Sequence, residues 1–468
     1  MPVRYTFRGG IRLPRSKKNM AQPTRRIDPP AQIVLYLRAY DGVECVCHVR
    51  EGDTVERGQC IGRPRSEGGL PRYSPVSGRV LSVEQIPDEN GTAVSCVRIE
   101  NDMRDRTHAG VHPYDKKLQD STREELLSYI RESGVCGADG RPLYLRMAGV
   151  DSGADTLLVN CVETQPGMYA MGHLLRETPE QVINGAKIIM KTLSLPHAVL
   201  AVQDDDFTAV NTLSDTVGKN RLFEIRLFRT RYPQENPACI VSAMRGIPLE
   251  MGRNIVDYNM LEVSGAECAA VYRAFATGLP ALEKTVYVDG DCVRESACIS
   301  CPVGTPFADL FAFCGGLVKE PEVILSGGVM NGIICPPDAA VDSDTVAVWA
   351  TDDVRTRERA PVFHAWLDEQ SLAQLRQRTV CVRCGACAQA CPAGILPHTL
   401  VQAVQKGRFS AQEDNALSAC DLCGACAYVC PAGIPLTRWI AYAKQREVYP
   451  QEWRAESDGE ETVENEED

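Results

Sequence analysis

No stretch of this 468-residue sequence approaches 18 uninterrupted apolar residues, so no segment reads as a membrane-spanning helix. Positive charge is not in surplus. The 50 Lys and Arg face 62 Asp and Glu, and the net charge of −12 argues against nucleic acid as a partner. The opening, MPVRYTFRGGIRLPRSKKNM, is basic but lacks the apolar run of a secretory signal. A cytoplasmic setting is therefore expected, and disulfides are rare there. No G-x-S-x-G nucleophile turn occurs. Apolar residues make up 44% of the chain, enough for several cores, which excludes a wholly disordered protein. The length suggests about three or four domains at roughly 100–200 residues each.

Cysteine is what the chain has in excess: 21 residues, eight of them between positions 381 and 430. In a reducing compartment, clustered cysteines point to metal. The eight form a repeat. Cys381-x-x-Cys384-x-x-Cys387-x-x-x-Cys391-Pro392 returns 39 residues later as Cys420-x-x-Cys423-x-x-Cys426-x-x-x-Cys430-Pro431. This spacing matches the bacterial run that binds [4Fe–4S] clusters. Two-residue gaps curl the chain so that three thiolates cap three corners of a cubane. Gly385 and Gly424 permit close backbone approach. The fourth cysteine faces away and ligates the other cluster. One cubane is thus expected on Cys381, Cys384, Cys387 and Cys430, and a second on Cys420, Cys423, Cys426 and Cys391. Zinc is the competing reading, but zinc favours two Cys-x-x-Cys pairs held apart by a longer loop. Helix-like patterns at 397–406 and 411–419 suggest a helical two-cluster ferredoxin module over 361–450.

The remaining chain divides by pattern. Residues 1–30 are a basic arm. Its first 26 residues hold eight Arg and Lys and no acid, and it is read as solvated or as a docking strip for an acidic partner or membrane surface. Residues 31–115 show short β runs split by turns, such as Ile33–Leu37 and Val43–Val49. Residues 116–250 alternate helix and strand, with strands at Thr156–Asn160 and Ala198–Val202 and a helix at Thr178–Thr192. That order implies a parallel α/β sheet, whose ligands sit at the carboxyl ends of the strands. Asn160–Gly167 and Gln203–Asp206 are the first places to look. Residues 251–360 form a third folded segment, with a glycine-rich turn at Ser326–Gly332. Residues 451–468 are an acidic tail, expected to be disordered.

The β segment at 31–115 resembles the lipoyl/biotinyl-type barrel-sandwich hybrid. Carriers of that type use a hairpin lysine, and no lysine lies between Asn19 and Asp115, so a swinging arm is excluded. Taken in order, Phe7–Ile11 (Phe-Arg-Gly-Gly-Ile), the barrel-sandwich segment, the α/β domain, Tyr232-Pro-Gln234, Pro302-Val-Gly-Thr-Pro306 and the two cysteine motifs resemble the C subunit of the Rnf electron-transport complex. That family also covers a microcompartment cobalamin reductase and an electron-transfer protein associated with proline reductase. The resemblance implies a multidomain α/β and β fold: the barrel sandwich, an α/β domain like the complex I flavoprotein, a β-grasp-like SLBB segment at 251–360 and the ferredoxin module. It implies FMN in the α/β domain, held by a glycine-rich loop and by Asn160, Glu163 and Thr164 in Asn160-Cys-Val-Glu-Thr-Gln-Pro-Gly167. Gly137 and Gly140 are the glycines of the expected loop. That loop, Gly134-Val-Cys-Gly137-Ala-Asp-Gly140-Arg-Pro142, departs from the family pattern: it is shorter and contains Asp139. An aspartate repels phosphate, which argues against NADH oxidation here.

Several other groupings carry chemistry-bearing side chains. Cys298/Cys301, Cys45/Cys47 and Cys136/Cys161 are possible redox or metal pairs, against the commoner reading of buried thiols. The histidines, His48, His173 and His398 among them, read as surface or core residues. Asp204–Asp206 ends a strand, either near a cofactor hydroxyl or as a solvated turn. The favoured function is an iron–sulfur electron-transfer subunit working with other subunits, at most peripheral to a membrane through those partners. The alternatives are a complete FMN/NADH reductase and a non-redox scaffold with structural clusters.

Overall fold

A computed structural model describes the chain except residues 1–2, 16–19, 39–44, 67, 88–92, 151–152, 248–254, 354–379, 407–410 and 449–468. The acidic tail and the start of the expected ferredoxin segment lie outside the described residues.

Period-two apolar patterning near the start builds two small antiparallel sheets that face each other. One pairs Gln32–Tyr36, Ala93–Asn101, Gly78–Pro87 and Thr54–Val55. The other pairs Cys45–Cys47, Cys60–Pro64 and Arg72–Tyr73. Ile33, Leu35, Val55, Ile61, Val80, Val97 and Ile99 fill the space between them.

The α/β unit is a five-stranded, wholly parallel sheet ordered Arg4–Tyr5, Phe223–Phe228, His197–Gln203, Thr156–Cys161 and Met260–Ser264. Its central strands are buried on both faces, which explains the unbroken apolar runs Leu157–Val159 and Ala198–Val202. Thr122 and Glu125 form a capping box at the start of helix Arg123–Glu132, and Pro179 starts helix Pro179–Leu193. Two expectations change here. The sheet continues past residue 250, because Met260–Ser264 and helix Gly265–Thr277 complete it. The basic opening is not a solvated arm. Arg4–Tyr5 forms the sheet's edge strand and Phe7 is buried.

A six-stranded mixed sheet follows, ordered Ile333–Cys335, Val323–Ser326, Ala347–Thr351, Glu283–Asp289, Ala297–Pro302 and Arg25–Arg26. Its last strand again comes from the basic opening. Helix Phe307–Phe313 packs its Phe307, Leu310 and Phe311 into this core. The C-terminal module is helical. Pro397–Lys406 and Leu436–Val448 pack around Trp439, with the short helices Ala386–Ala390 and Ala425–Tyr428 carrying cysteines.

Candidate metal centres

Each cysteine loop turns through two left-handed residues, Arg383 and Gly385 in the first (φ 54° and 75°) and Leu422 and Gly424 in the second (φ 53° and 78°). These reversals fold Cys-x-x-Cys back on itself and bring the third cysteine onto the first turn of a short helix. The first three cysteines of loop one then share a cavity with the last cysteine of loop two: Cys381, Cys384, Cys387 and Cys430 line it, with Pro431 and Ile434. Cys391 from loop one lies within electrostatic reach of Cys420, Cys423 and Cys426.

Burial pushes the Cys420 thiol up to about 11 and Cys423 up to about 12, and neighbouring thiols raise both further. Four bare thiolates are unfavourable there, and a positively charged metal core would reverse that balance. The Arg383 backbone N–H donates to the Cys381 sulfur at 3.4 Å. Such N–H···S bonds are what iron–sulfur sites use. Tetrahedral zinc, with Zn–S near 2.3 Å, needs sulfurs roughly 3.8 Å apart. Among the described residues no three of these sulfurs lie within 4.8 Å of one another; the trio that does is Asp291, Cys292 and Asp352. Lys319 bridges both of those carboxylates, at 2.8 and 2.7 Å. The donor set and its spread fit a cubane better than a single ion.

Two sulfur neighbours escape sequence reading. His398 Nδ1 is 3.8 Å from Cys387 Sγ, and Thr437, 39 residues on, sits 3.9 Å from Cys426 Sγ. The repeat offset, extended past Cys-Pro-Ala-Gly-Ile, was the available signal. His108 and His112 stand four apart in a loop, where His108 Nδ1 accepts the Gly110 N–H, so no helix face stacks them.

The second loop is clasped by distant segments. The Tyr232 hydroxyl donates to the Cys423 carbonyl, and Asn236 Nδ2 donates to Asp421 at 2.9 Å. Gly10 N–H donates to the Ala390 carbonyl at 2.9 Å. Gly9 lies so close that a Cβ there would sit 2.5 Å from the Cys391 carbonyl oxygen. The glycine-rich turn Ser326–Gly332 brings Met330 against Gly424, where a Cβ would lie 2.6 Å from the Met330 oxygen. Tyr232, Met330, Ala390 and Ala425 form one buried cluster.

The same turns reach the flavin-type strand end. Asn160 Nδ2 donates to the Glu235 carbonyl and to Glu262, and Thr164 donates to the Glu235 carboxylate. Gln165 bonds Asn331 and accepts from the Met330 N–H. Glu163 is buried and accepts from the Met171 N–H, and burial raises its carboxyl to about 7. The structure thus gathers Asn160, Glu163 and Thr164, but their polar groups are engaged with protein. Gly137 and Gly140 lie apart from them in a tight turn. The Gly137 N–H donates to Arg141, the Gly140 N–H to Gly137, and Asp139 accepts from the Arg141 N–H. That turn has no glycine donor left for a phosphate and holds a carboxylate of its own, so it does not fit the phosphate end of a flavin nucleotide.

Two of the remaining pairs separate. Cys298 and Cys301 belong to different buried clusters, Cys298 beside Tyr287 and Cys301 beside Val286. Cys161 faces Cys268, while Cys136 bonds the Ser343 carbonyl. Cys45 and Cys47 lie in the barrel-sandwich core. Asp204–Asp206 anchors the basic opening: Asp204 pairs with Arg4, Asp205 with Arg15, and Asp206 with Arg176 while capping helix Phe207–Val217. The acidic partner of the arm is this same chain.

Residues 5–104 match the RnfC barrel sandwich hybrid domain, 130–273 the Nuo51 FMN-binding domain and 374–439 the 4Fe-4S dicluster domain. The chain is 28% identical over 414 residues to the C subunit of the Na(+)-translocating ferredoxin:NAD(+) oxidoreductase complex of Acetobacterium woodii, covering 88% of this chain and 90% of that protein. It is 27% identical over 413 residues to the C subunit of the proton-translocating ferredoxin:NAD(+) oxidoreductase complex of Clostridium ljungdahlii, covering 87% and 86%. A structure of an NAD+-reducing [NiFe]-hydrogenase in the H2-reduced state aligns at 14% identity and TM-score 0.45, over 73% of this chain and 63% of that one. With the three domains in that order along one chain, and relatives matching most of its length, the protein is RnfC-like in domain content and order.

Proposed function

We propose that this chain is the iron–sulfur electron-transfer subunit of an oxidoreductase complex. It would exchange electrons with other subunits through two [4Fe–4S] clusters, one on Cys381, Cys384, Cys387 and Cys430 and one on Cys420, Cys423, Cys426 and Cys391. The observation that carries the reading is the crossed grouping of the thiols, with the second group clasped against the α/β unit by Tyr232 and Asn236. When bound, such clusters take up and give back single electrons. The protein's part is to hold eight thiolates at fixed spacing, donate backbone N–H groups to the sulfurs and keep the second site out of bulk water.

The division into arm, barrel sandwich, α/β unit, SLBB-like segment and ferredoxin module is part of the same reading. The six-stranded sheet around helix Phe307–Phe313 supports the SLBB-like assignment. Among the described residues no helix is long and apolar enough to cross a membrane, so membrane association would come through partner subunits. The spent donors around Gly137 and Gly140 favour electron delivery by a partner over NADH oxidation on this chain. The test is iron and acid-labile sulfide analysis of anaerobically purified protein. Eight irons per chain are expected, and well under eight would defeat the reading.

A further inference from the structure

We propose that the two cluster sites are built to unequal reduction potentials, that the second (Cys420, Cys423, Cys426, Cys391) is the more reducing, and that Arg383 and Asp421 help set the gap. The inference rests on the electron-transfer reading above. Both loops have the same cysteine spacing and a left-handed residue at the matching position, Arg383 and Leu422. Ligand type and spacing alone would give matched potentials, so any difference comes from charge, hydrogen bonding and exposure.

Those surroundings differ at each matching position. Arg383 is exposed, whereas Leu422 is 7% exposed and packs in the helical core. Cys384 is exposed, whereas Cys423 sits beside Tyr232, Met330 and Ala425. A Cβ on Gly385 would meet open space, whereas one on Gly424 would strike the Met330 backbone. Ala425 is fully buried. Val382 is exposed and uncharged, and its counterpart Asp421, also exposed, carries a negative charge held by Asn236.

Reduction adds negative charge to a cluster. Water and the Arg383 guanidinium around the first loop favour that charge. Packed apolar side chains and the Asp421 carboxylate around the second oppose it. Lys444 offsets Asp421 at Cys420, and Asp421 also bears on Cys423 and Cys391. An electron entering at the second site, where the α/β unit makes its contacts, therefore runs downhill to the first. It leaves on the exposed side of the first loop, at Val382 and Cys384.

The test is an anaerobic redox titration of the full chain carrying eight irons, at pH 8, followed by electron paramagnetic resonance. Two separate one-electron steps are expected. Asp421→Asn raises the lower midpoint and leaves the upper unmoved. Arg383→Gln lowers the upper and leaves the lower unmoved. Each shift is about tenfold in the oxidised-to-reduced ratio at fixed poise, or 59 mV for one electron. A single shared midpoint, or either variant moving the opposite step or neither, overturns the proposal. Should Asp421→Asn shed iron, Arg383→Gln, on the exposed side of its loop, decides alone by the same criterion. Fewer than eight irons in the unmodified chain instead defeats the electron-transfer reading, so the two failures are distinguishable.

Discussion

Gly9→Ala tests whether the N-terminal arm is structurally part of the second cluster site. Gly9 has φ 87°, and a Cβ there would lie 2.5 Å from the Cys391 carbonyl oxygen and 3.0 Å from its carbon. An L-residue in left-handed backbone costs about 1–2 kcal/mol. The obstruction is backbone, which cannot swing aside as a side chain would, and crowding of this kind adds about 1–3 kcal/mol. The chain has one escape, which is to release the arm. Release exposes Phe7, worth about 2 kcal/mol. It also breaks the Gly10–Ala390 bond and both Ile11–Tyr232 backbone bonds, about 1 kcal/mol each. The smaller route wins, so the docked arm should lose about 2–5 kcal/mol, the lower end set by strain and the upper by release. Amide exchange at Gly10 and Ile11 should then accelerate by roughly 30-fold or more, since about 1.4 kcal/mol is tenfold. Gly394→Ala is the control. It has φ 70° but nothing within 4 Å of the added carbon, so it pays only the backbone cost. Exchange in Gly9→Ala within twofold of the unmodified chain, or no faster than in Gly394→Ala at its own amides, would refute the reasoning.

Cys430→Ala and Cys381→Ala should each reduce iron from eight to about four per chain, and the double variant should lose no more, because both residues serve one cluster. Cys391→Ala paired with Cys420→Ala should behave likewise for the other. Loss of iron by Cys430→Ala together with Cys420→Ala, at the level of either alone, would refute crossed ligation. Burial raises the Glu163 carboxyl from 4.5 to about 7, so the folded state holds a proton that the unfolded chain has released. Stability should therefore fall as pH rises from about 4.5 to 7 and level off above, by on the order of 3 kcal/mol from this group. In denaturant titrations Glu163→Gln should remove that slope, and an unchanged slope would contradict the assignment. Flavin extracted from denatured protein should fall well below one per chain, because the Gly137 and Gly140 donors are spent. A full equivalent of FMN would show that another group binds its phosphate.

The doubled cysteine motif is legible in the sequence because the spacing of three cysteines in a loop is a local property. The two left-handed positions and the helix turn that carry them lie within the same seven residues. The strands at 156–161 and 197–203 were legible for a similar reason, since doubly buried strands leave unbroken apolar runs. Capping and proline signals placed their helices. The basic opening was misjudged because its partners are far along the chain. Arg4 and Arg15 meet Asp204 and Asp205, and Arg4–Tyr5 finds a strand edge at Leu227–Phe228. A charge run looks the same in sequence whether its counter-charges are solvent ions or a remote loop.

Sequence by itself offered the donor chemistry and the doubled cysteine motif, because these follow from residue type and short-range spacing. It also marked Asp139 as an intruder in the glycine turn. Tertiary structure decided which site is wrapped by the rest of the protein and which faces outward. Two sites of matching spacing became unequal only when Tyr232, Asn236 and Met330 closed on the second loop and the Gly9–Gly10 backbone closed on the Ala390–Cys391 segment that reaches it. Those contacts join segments separated by up to about four hundred residues, and no local pattern encodes a meeting of that range.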